Sequence, residues 1–255
     1  MIKKYTQEEF NQLPVEDGIK QCPIGDYTAI KEFKDRCSFG KGCSFGGGCS
    51  FGKGCSFGGR CSFGEWCSFG EWCSFGEWCS FGEWCSFGKG CSFGGWCSFG
   101  GWCSFGGGCS FGEGCSFGGG CSFGEGCGFG GGCSFGDRCS FGEGCSFGGG
   151  CSFGEGCSFG KGCSFGERCS FRKHCAVEDG IEIVSFLKFE GFGSEKRCTY
   201  FFRASDEKIY VRCGCFFGEL SAFRKKVKET HGESRLALGY QKVADLAEWQ
   251  LNIDL

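Results

Sequence analysis

The residues with the most chemical potential in this chain are its cysteines. Twenty-four of the 28 fall at every sixth position from Cys37 to Cys175. A thiol can pair as a disulfide, ionise to a nucleophile or ligate a soft metal. The pattern speaks against each. The repeat contains no Cys-x-x-Cys pair, and its one histidine, His174, stands at its edge. An apolar neighbourhood opposes thiolate formation. If the repeats stack as coils, neighbouring Cβ vectors run parallel, which suits a disulfide poorly. Each repeat cysteine is therefore expected to be a small buried hydrophobe, with no metal or cofactor. A thiol-rich metal or redox protein is the alternative.

Outside the repeat, Cys213 and Cys215 share one face of an expected strand and are the remaining candidates for thiol chemistry. His231 lies at an expected helix end, where a lone histidine usually serves the cap. No P-loop, dinucleotide fingerprint, nucleophile elbow or zinc-ligand cluster is present in the sequence. No catalytic residue is assigned, and an enzyme is not expected.

A second pattern concerns recognition. Glu65-Trp66, Glu71-Trp72, Glu77-Trp78 and Glu83-Trp84 occupy four consecutive repeats, and Trp96 and Trp102 follow. Clustered exposed aromatics mark contact surfaces. These glutamates and tryptophans form the candidate partner surface. The competing reading is that the rings lie over turn glycines of the next coil.

The elements that must position these residues are hexads. Residues 37–174 form 23 uninterrupted units of the form Cys-Ser-Phe-Gly-x-x, with Gly128 in place of Ser and Arg172 in place of Gly. A short sustained period specifies a solenoid. Cys and Phe, two apart, project inward from an extended segment, and Ser projects outward. The glycine that follows can take a positive φ and is expected to turn the corner. The last two positions read as exposed corner residues.

Whether two or three hexads close one coil is left to the fifth position. Taken from every second hexad beginning at Lys41, ten of twelve are charged, against five of eleven in the interleaved column from Gly47. That favours a two-sided coil of two hexads, with Cys opposing Phe across a flat core. It would place Trp66, Trp78 and Trp102 on one edge and Trp72, Trp84 and Trp96 on the other. Three Phe per layer would crowd the alternative, a triangular coil of three hexads.

Read from Phe, the unit Phe-Gly-x-x-Cys-Ser resembles the left-handed β-helix hexapeptide. Read from Cys, Cys-Ser-Phe-Gly-x is similar to a pentapeptide-repeat unit. Pentapeptide repeats have period five, and hexapeptide enzymes prefer Leu, Ile or Val to Phe. Both resemblances cover residues 37–174, imply β-solenoid geometry and transfer no active site.

The flanks differ in composition. Residues 1–36 are expected to cap the solenoid, with a short helix over 6–13 and degenerate hexads from about residue 25, where Tyr27 and Phe33 keep the phase of the repeat Phe. Val15-Glu16-Asp17-Gly18-Ile19 recurs as Val177-Glu178-Asp179-Gly180-Ile181, suggesting similar turn-and-strand elements at both ends. Residues 176–255 read as a small α+β domain that caps or anchors the solenoid of residues 37–175. Its expected parts are a strand over 181–189 and a hairpin, 198–204 with 208–217. A helix over 219–230 follows, burying Leu220, Phe223 and Val227. A last helix over 236–251 is expected to bury Leu236, Tyr240, Val243, Leu246 and Trp249 or Gln250. Tyr210–Gly218 together with Lys228–Gly232 resembles a recurrent C-terminal module of bacterial and phage open reading frames, which implies no activity.

Composition bounds the rest. Net charge is −3, which gives no electrostatic case for nucleic acid or an anionic membrane. No apolar run is long enough to span a bilayer. The opening stretch is polar, which sets the expectation of a cytoplasmic protein. Ice binding lacks paired threonine columns. A target-mimicking solenoid, another alternative, would need a denser acidic surface. The sequence thus reads as an all-β solenoid followed by a small α+β domain. Its expected role is a non-enzymatic structural or protein-interaction spacer that docks a protein partner.

Overall fold

A computed structural model describes residues 2–166, 168–172, 174–177, 180–189, 199–214 and 216–252. The chain divides into two compact units, residues 1–170 and 171–255.

In the first unit each hexad supplies one short strand, Ser-Phe, and strands pair in parallel with those three hexads away. Ser62 and Phe63 align with Ser80 and Phe81, which align with Ser98 and Phe99. Three hexads therefore close one coil, and the solenoid has three sides. The two-sided coil favoured above is corrected. The crowding argument fails because the three Phe of a coil turn edge to face. Phe93 and Phe99 meet at 5.1 Å and 86°, and Phe99 and Phe105 at 5.2 Å and 86°. Along the axis each ring lies parallel to its counterpart, as in Phe81 and Phe99 at 4.8 Å and 2°. That pitch equals the spacing of hydrogen-bonded strands, so backbone and ring stacks stay in step. The charge column drawn from alternate hexads visits all three corners in turn; exposed corner charges do not report the coil.

Backbone bonds run along the axis. Ser80 N–H donates to the Cys61 carbonyl, Gly82 N–H to Phe63 and Trp84 N–H to Gly101, each at 3.0 Å. The fourth-position glycine does not carry the positive φ expected of it. That conformation belongs to the sixth position, in Gly48 and Gly54 as in Trp66 and Trp72. The fourth glycine is required by close approach instead. A Cβ on Gly64 would stand 2.5 Å from the Gly47 nitrogen.

The N-terminal end of the core is covered by its own segment. Helix α1 (Gln7–Asn11) is capped by Thr6, whose hydroxyl accepts from Glu9 N–H while Glu9 accepts in return from Thr6 N–H. It brings Phe10 edge-on to Phe33 at 5.1 Å, and Tyr5 stacks on Tyr27 at 4.7 Å. Val15–Glu16 and Ile19–Cys22 pair antiparallel around Asp17-Gly18, and Cys22 aligns with Phe39.

The second unit is an antiparallel meander, Ile181–Phe189, Thr199–Ala204, Ile209–Cys213 and Phe216–Glu219, followed by α2 (Leu220–His231) and α3 (Arg235–Leu251). The expected strand over 208–217 is two strands, turned at Gly214, whose φ is 60°. Helix α2 buries Leu220, Phe223 and Val227 as expected. Helix α3 is rotated from expectation: it buries Ala237, Tyr240, Ala244, Ala247 and Leu251, leaving Leu236, Leu246 and Trp249 exposed. Small alanines let α3 approach α2 and the sheet closely, which larger side chains would prevent. Arg224 ties the helices together, donating to Gln241 (3.0 Å), Asp245 (2.6 Å) and Glu248 (2.7 Å). The strands flanking the second copy of the recurring pentad also pair antiparallel, with Val177 aligned to Ile181; its Glu178 and Asp179 lie outside the described residues.

Candidate interaction surface

The six repeat tryptophans sit at sixth positions, where φ is near 60°. Thirteen of the 23 sixth positions are glycine, which adopts this conformation freely, whereas other L-residues pay about 1–2 kcal/mol. Tryptophan is therefore not the residue the corner itself selects.

The three-sided coil regroups them. Trp66, Trp84 and Trp102 share one corner, Trp78 and Trp96 a second, and Trp72 stands on the third, which corrects the two-edge assignment. Trp66 stacks on Trp84 at 5.2 Å and 4°, and Trp84 on Trp102 at 5.4 Å and 8°. Trp78 stacks on Trp96 at 5.6 Å and 11°. Each ring leans toward the following coil, so the last rung of a ladder covers a glycine: Trp102 covers Gly120, Trp96 covers Gly114, and Trp72 covers Gly90. Packing over turn glycines and exposure thus coexist. Trp66 remains 62% exposed, against 43% for the middle rung Trp84. The two ladders border one side of the solenoid, the side on which Ser80 and Ser98 are exposed.

The glutamates divide with the corners. Glu65 and Glu83 lie in adjacent coils beside the three-rung ladder, about one strand spacing (~4.8 Å) apart. Like charges so placed repel. Glu77 accompanies Trp78. Glu71 is spent differently, in an ion pair with Lys53 at 3.0 Å. Sequence reasoning missed four glycines, Gly47, Gly48, Gly64 and Gly82, which with Glu65 and Trp66 line an open cleft of about 700 Å³ at the start of the ladder. Only a repeat of three hexads reveals that Gly48 precedes Trp66 on the same corner.

The repeat thiols face inward and have a specific partner. Cys85 donates to the Gly64 carbonyl at 3.5 Å and Cys103 to Gly82 at 3.5 Å, a bond repeated along the solenoid. Thiols in register on adjacent coils also meet. Where two thiols share a hydrogen bond, as Cys79 and Cys61 do, the bond raises one and lowers the other, while burial pushes both up. Cys49 is pushed up by its bond with Cys67 and by burial. In the second unit, Cys213 is half-buried and its sulfur accepts from the Thr199 hydroxyl at 3.3 Å; Cys215 lies outside the described residues.

One family model matches the chain, described as an RNA-binding, Nab2-type zinc finger of CCCH type. It matches six short segments, residues 54–70, 61–82, 72–88, 102–118, 145–160 and 157–172. No curated protein and no solved structure matches the chain. The residues do not fit the zinc that such a finger holds. None of the six segments contains a histidine, so a Cys₃His set cannot form within one. In residues 54–70, Cys55, Cys61 and Cys67 precede strands on three different sides, with Phe rings between them. Among the described residues, no group of three or more His, Cys, Asp or Glu side chains is placed to hold a metal ion. Among the described residues, no helix is long and apolar enough to cross a membrane.

Proposed function

We propose that this chain is a non-enzymatic, cytoplasmic interaction solenoid that holds a protein partner against its tryptophan corners. The C-terminal unit serves as its anchor. One observation carries the reading: six tryptophans, five of them stacked on one another, occupy left-handed sixth positions, of which glycine fills thirteen and Arg60, Arg138, Arg168 and His174 the rest. Backbone strain that the fold does not need points to a role outside the fold. The rigid ring stacks hold the corners at fixed spacing, so a partner meets a preformed surface.

The test is affinity capture with the full chain and with a variant carrying Trp66→Gly, Trp72→Gly, Trp78→Gly and Trp84→Gly. Glycine suits each site, so the circular-dichroism spectrum should be unchanged. Loss of one stoichiometric protein partner is expected. Equal capture by both chains overturns the reading.

RNA binding is a second reading, favoured by the family-model match. Exposed aromatic rings can stack bases, but the uncompensated Glu65 and Glu83 beside the ladder repel phosphate. Salt-dependent binding of single-stranded RNA, lost in the same variant, would favour it over a protein partner.

A further inference from the structure

The two faces of a stacked ring are not equally available. In the three-rung ladder, Trp84 covers one face of Trp66 at 5.2 Å, Trp84 and Trp102 cover each other, and Trp102 lies on Gly120. Only the face of Trp66 toward the preceding coil is free. The residue beneath it on that corner is Gly48, around whose absent Cβ nothing lies within 4 Å. This is the cleft lined by Gly47, Gly48, Gly64, Glu65, Trp66 and Gly82.

Its chemistry is narrow. The wall is an indole face, the strongest aromatic acceptor for a cation. The rim carries the exposed Glu65 carboxylate, with Glu83 one coil further on. The floor is glycine backbone; the Gly47 carbonyl is taken by the Lys31 ammonium, so the attraction for a cation must come from the indole face and the Glu65 carboxylate. A flat guanidinium can stack on an indole while its N–H fork meets a carboxylate, which a spherical ammonium does less well. We propose that this cleft is a pocket for an arginine side chain of the protein partner, with Trp66 as its stacking wall and Glu65 as its counter-charge. The proposal rests on the docking reading above and names the chemistry of the partner.

Titration calorimetry of the full chain with a blocked oligo-arginine peptide tests it. Saturable binding is expected, weakened about tenfold by Glu65→Gln and comparably by the joint change Trp66→Gly, Trp84→Gly and Trp102→Gly, which leaves this corner without an indole face. Arg168→Gly, at a left-handed sixth position outside the tryptophan ladders, should change it little. Equal affinity for an oligo-lysine peptide overturns the guanidinium assignment, and tighter binding of single-stranded RNA overturns it in favour of a nucleobase. If the triple change leaves binding unchanged, or Arg168→Gly weakens it as much, the pocket is wrong. Should partner capture then still depend on the tryptophans, docking stands without the arginine pocket; should it not, both readings fall.

Discussion

The indole of Trp72 lies over Gly90 of the next coil, where an added Cβ would stand 2.5 Å from the ring. Gly90 and Gly108 occupy the same corner with nearly equal backbone, φ 68° and 69°, but nothing lies within 4 Å of Gly108. The pair separates backbone strain from ring contact. Gly108→Ala should destabilise by about 1 kcal/mol, the cost of a left-handed alanine. Gly90→Ala should cost more and should also increase quenching of tryptophan fluorescence by acrylamide as the ring is displaced. Equal melting shifts and equal quenching in the two variants would show that Trp72 does not rest on its neighbour.

The fourth-position glycines make a stricter demand. A Cβ on Gly64 meets the Gly47 nitrogen at 2.5 Å and its Cα at 2.7 Å. These are backbone atoms in a hydrogen-bonded coil and cannot rotate away. Gly64→Ala should therefore cost about 1–3 kcal/mol as overpacking, more than Gly108→Ala despite an ordinary φ. A smaller melting shift for Gly64→Ala would contradict the account of close approach.

These two glycine classes show where sequence reading succeeds and where it stops. Alternation within Cys-Ser-Phe announces that Cys and Phe point inward, because it follows from the geometry of a single strand. The number of sides does not, because it depends on how Phe93, Phe99 and Phe105 pack in the assembled layer. Edge-to-face contact at 86° admits three rings where volume alone suggests two. The same gap hid the ladder. Trp66 and Trp84 are recognisable as exposed corner residues, yet their stacking follows only once three hexads are known to close a coil. In α3 the alanines, not the leucines, face the core, since close helix packing overrides hydrophobic size.

The ring core should fail locally. Phe99 meets Phe93 and Phe105 within its layer at 5.1 and 5.2 Å and stacks on Phe81 and Phe117 at 4.8 Å. Phe99→Ala removes a large buried side chain, about 3–5 kcal/mol, and breaks all three ring columns' mutual support at one level. Because a solenoid is held by nearest-neighbour contacts, the denaturation curve should split into two transitions. A single cooperative transition with an unshifted midpoint would exclude this description of the core.

The thiol-to-carbonyl bonds explain why cysteine recurs where alanine would nearly fill the space. Cys85→Ala leaves the Gly64 carbonyl without its thiol donor and should cost about 1 kcal/mol. Such changes two coils apart in one column, at Cys67, Cys103 and Cys139, should add nearly in proportion, whereas neighbours such as Cys67 and Cys85, whose thiols touch, should not. Melting with and without reductant provides the control: equal wild-type stability in both supports a hydrogen-bonding role, whereas a drop on reduction would mean the thiols act as disulfides.

Acid should loosen the N-terminal segment before the repeats. Asp26 Oδ1 accepts from the Thr28 hydroxyl at 2.6 Å and from Thr28 N–H at 2.9 Å, and these bonds, the hydroxyl first, hold its carboxyl below the usual range. The Asp26 backbone also pairs with Lys3 and Tyr5 at 2.8 Å, so this turn tethers the strand that places Tyr5 on Tyr27. A carboxyl pulled down by folding gives its full stabilisation above its unfolded value, about 4. That stabilisation is lost as pH falls through the lower folded value. Hydrogen exchange at residues 3–12 should therefore accelerate on acidification relative to the central coils. Asp26→Asn should raise the rate at neutral pH and lessen the dependence, leaving the share of Glu9, whose carboxyl the Thr6 N–H also holds down. If wild type and variant show the same pH profile, the cap is held by its rings and by the Thr6–Glu9 bonds, and Asp26 is not the acid-sensitive link.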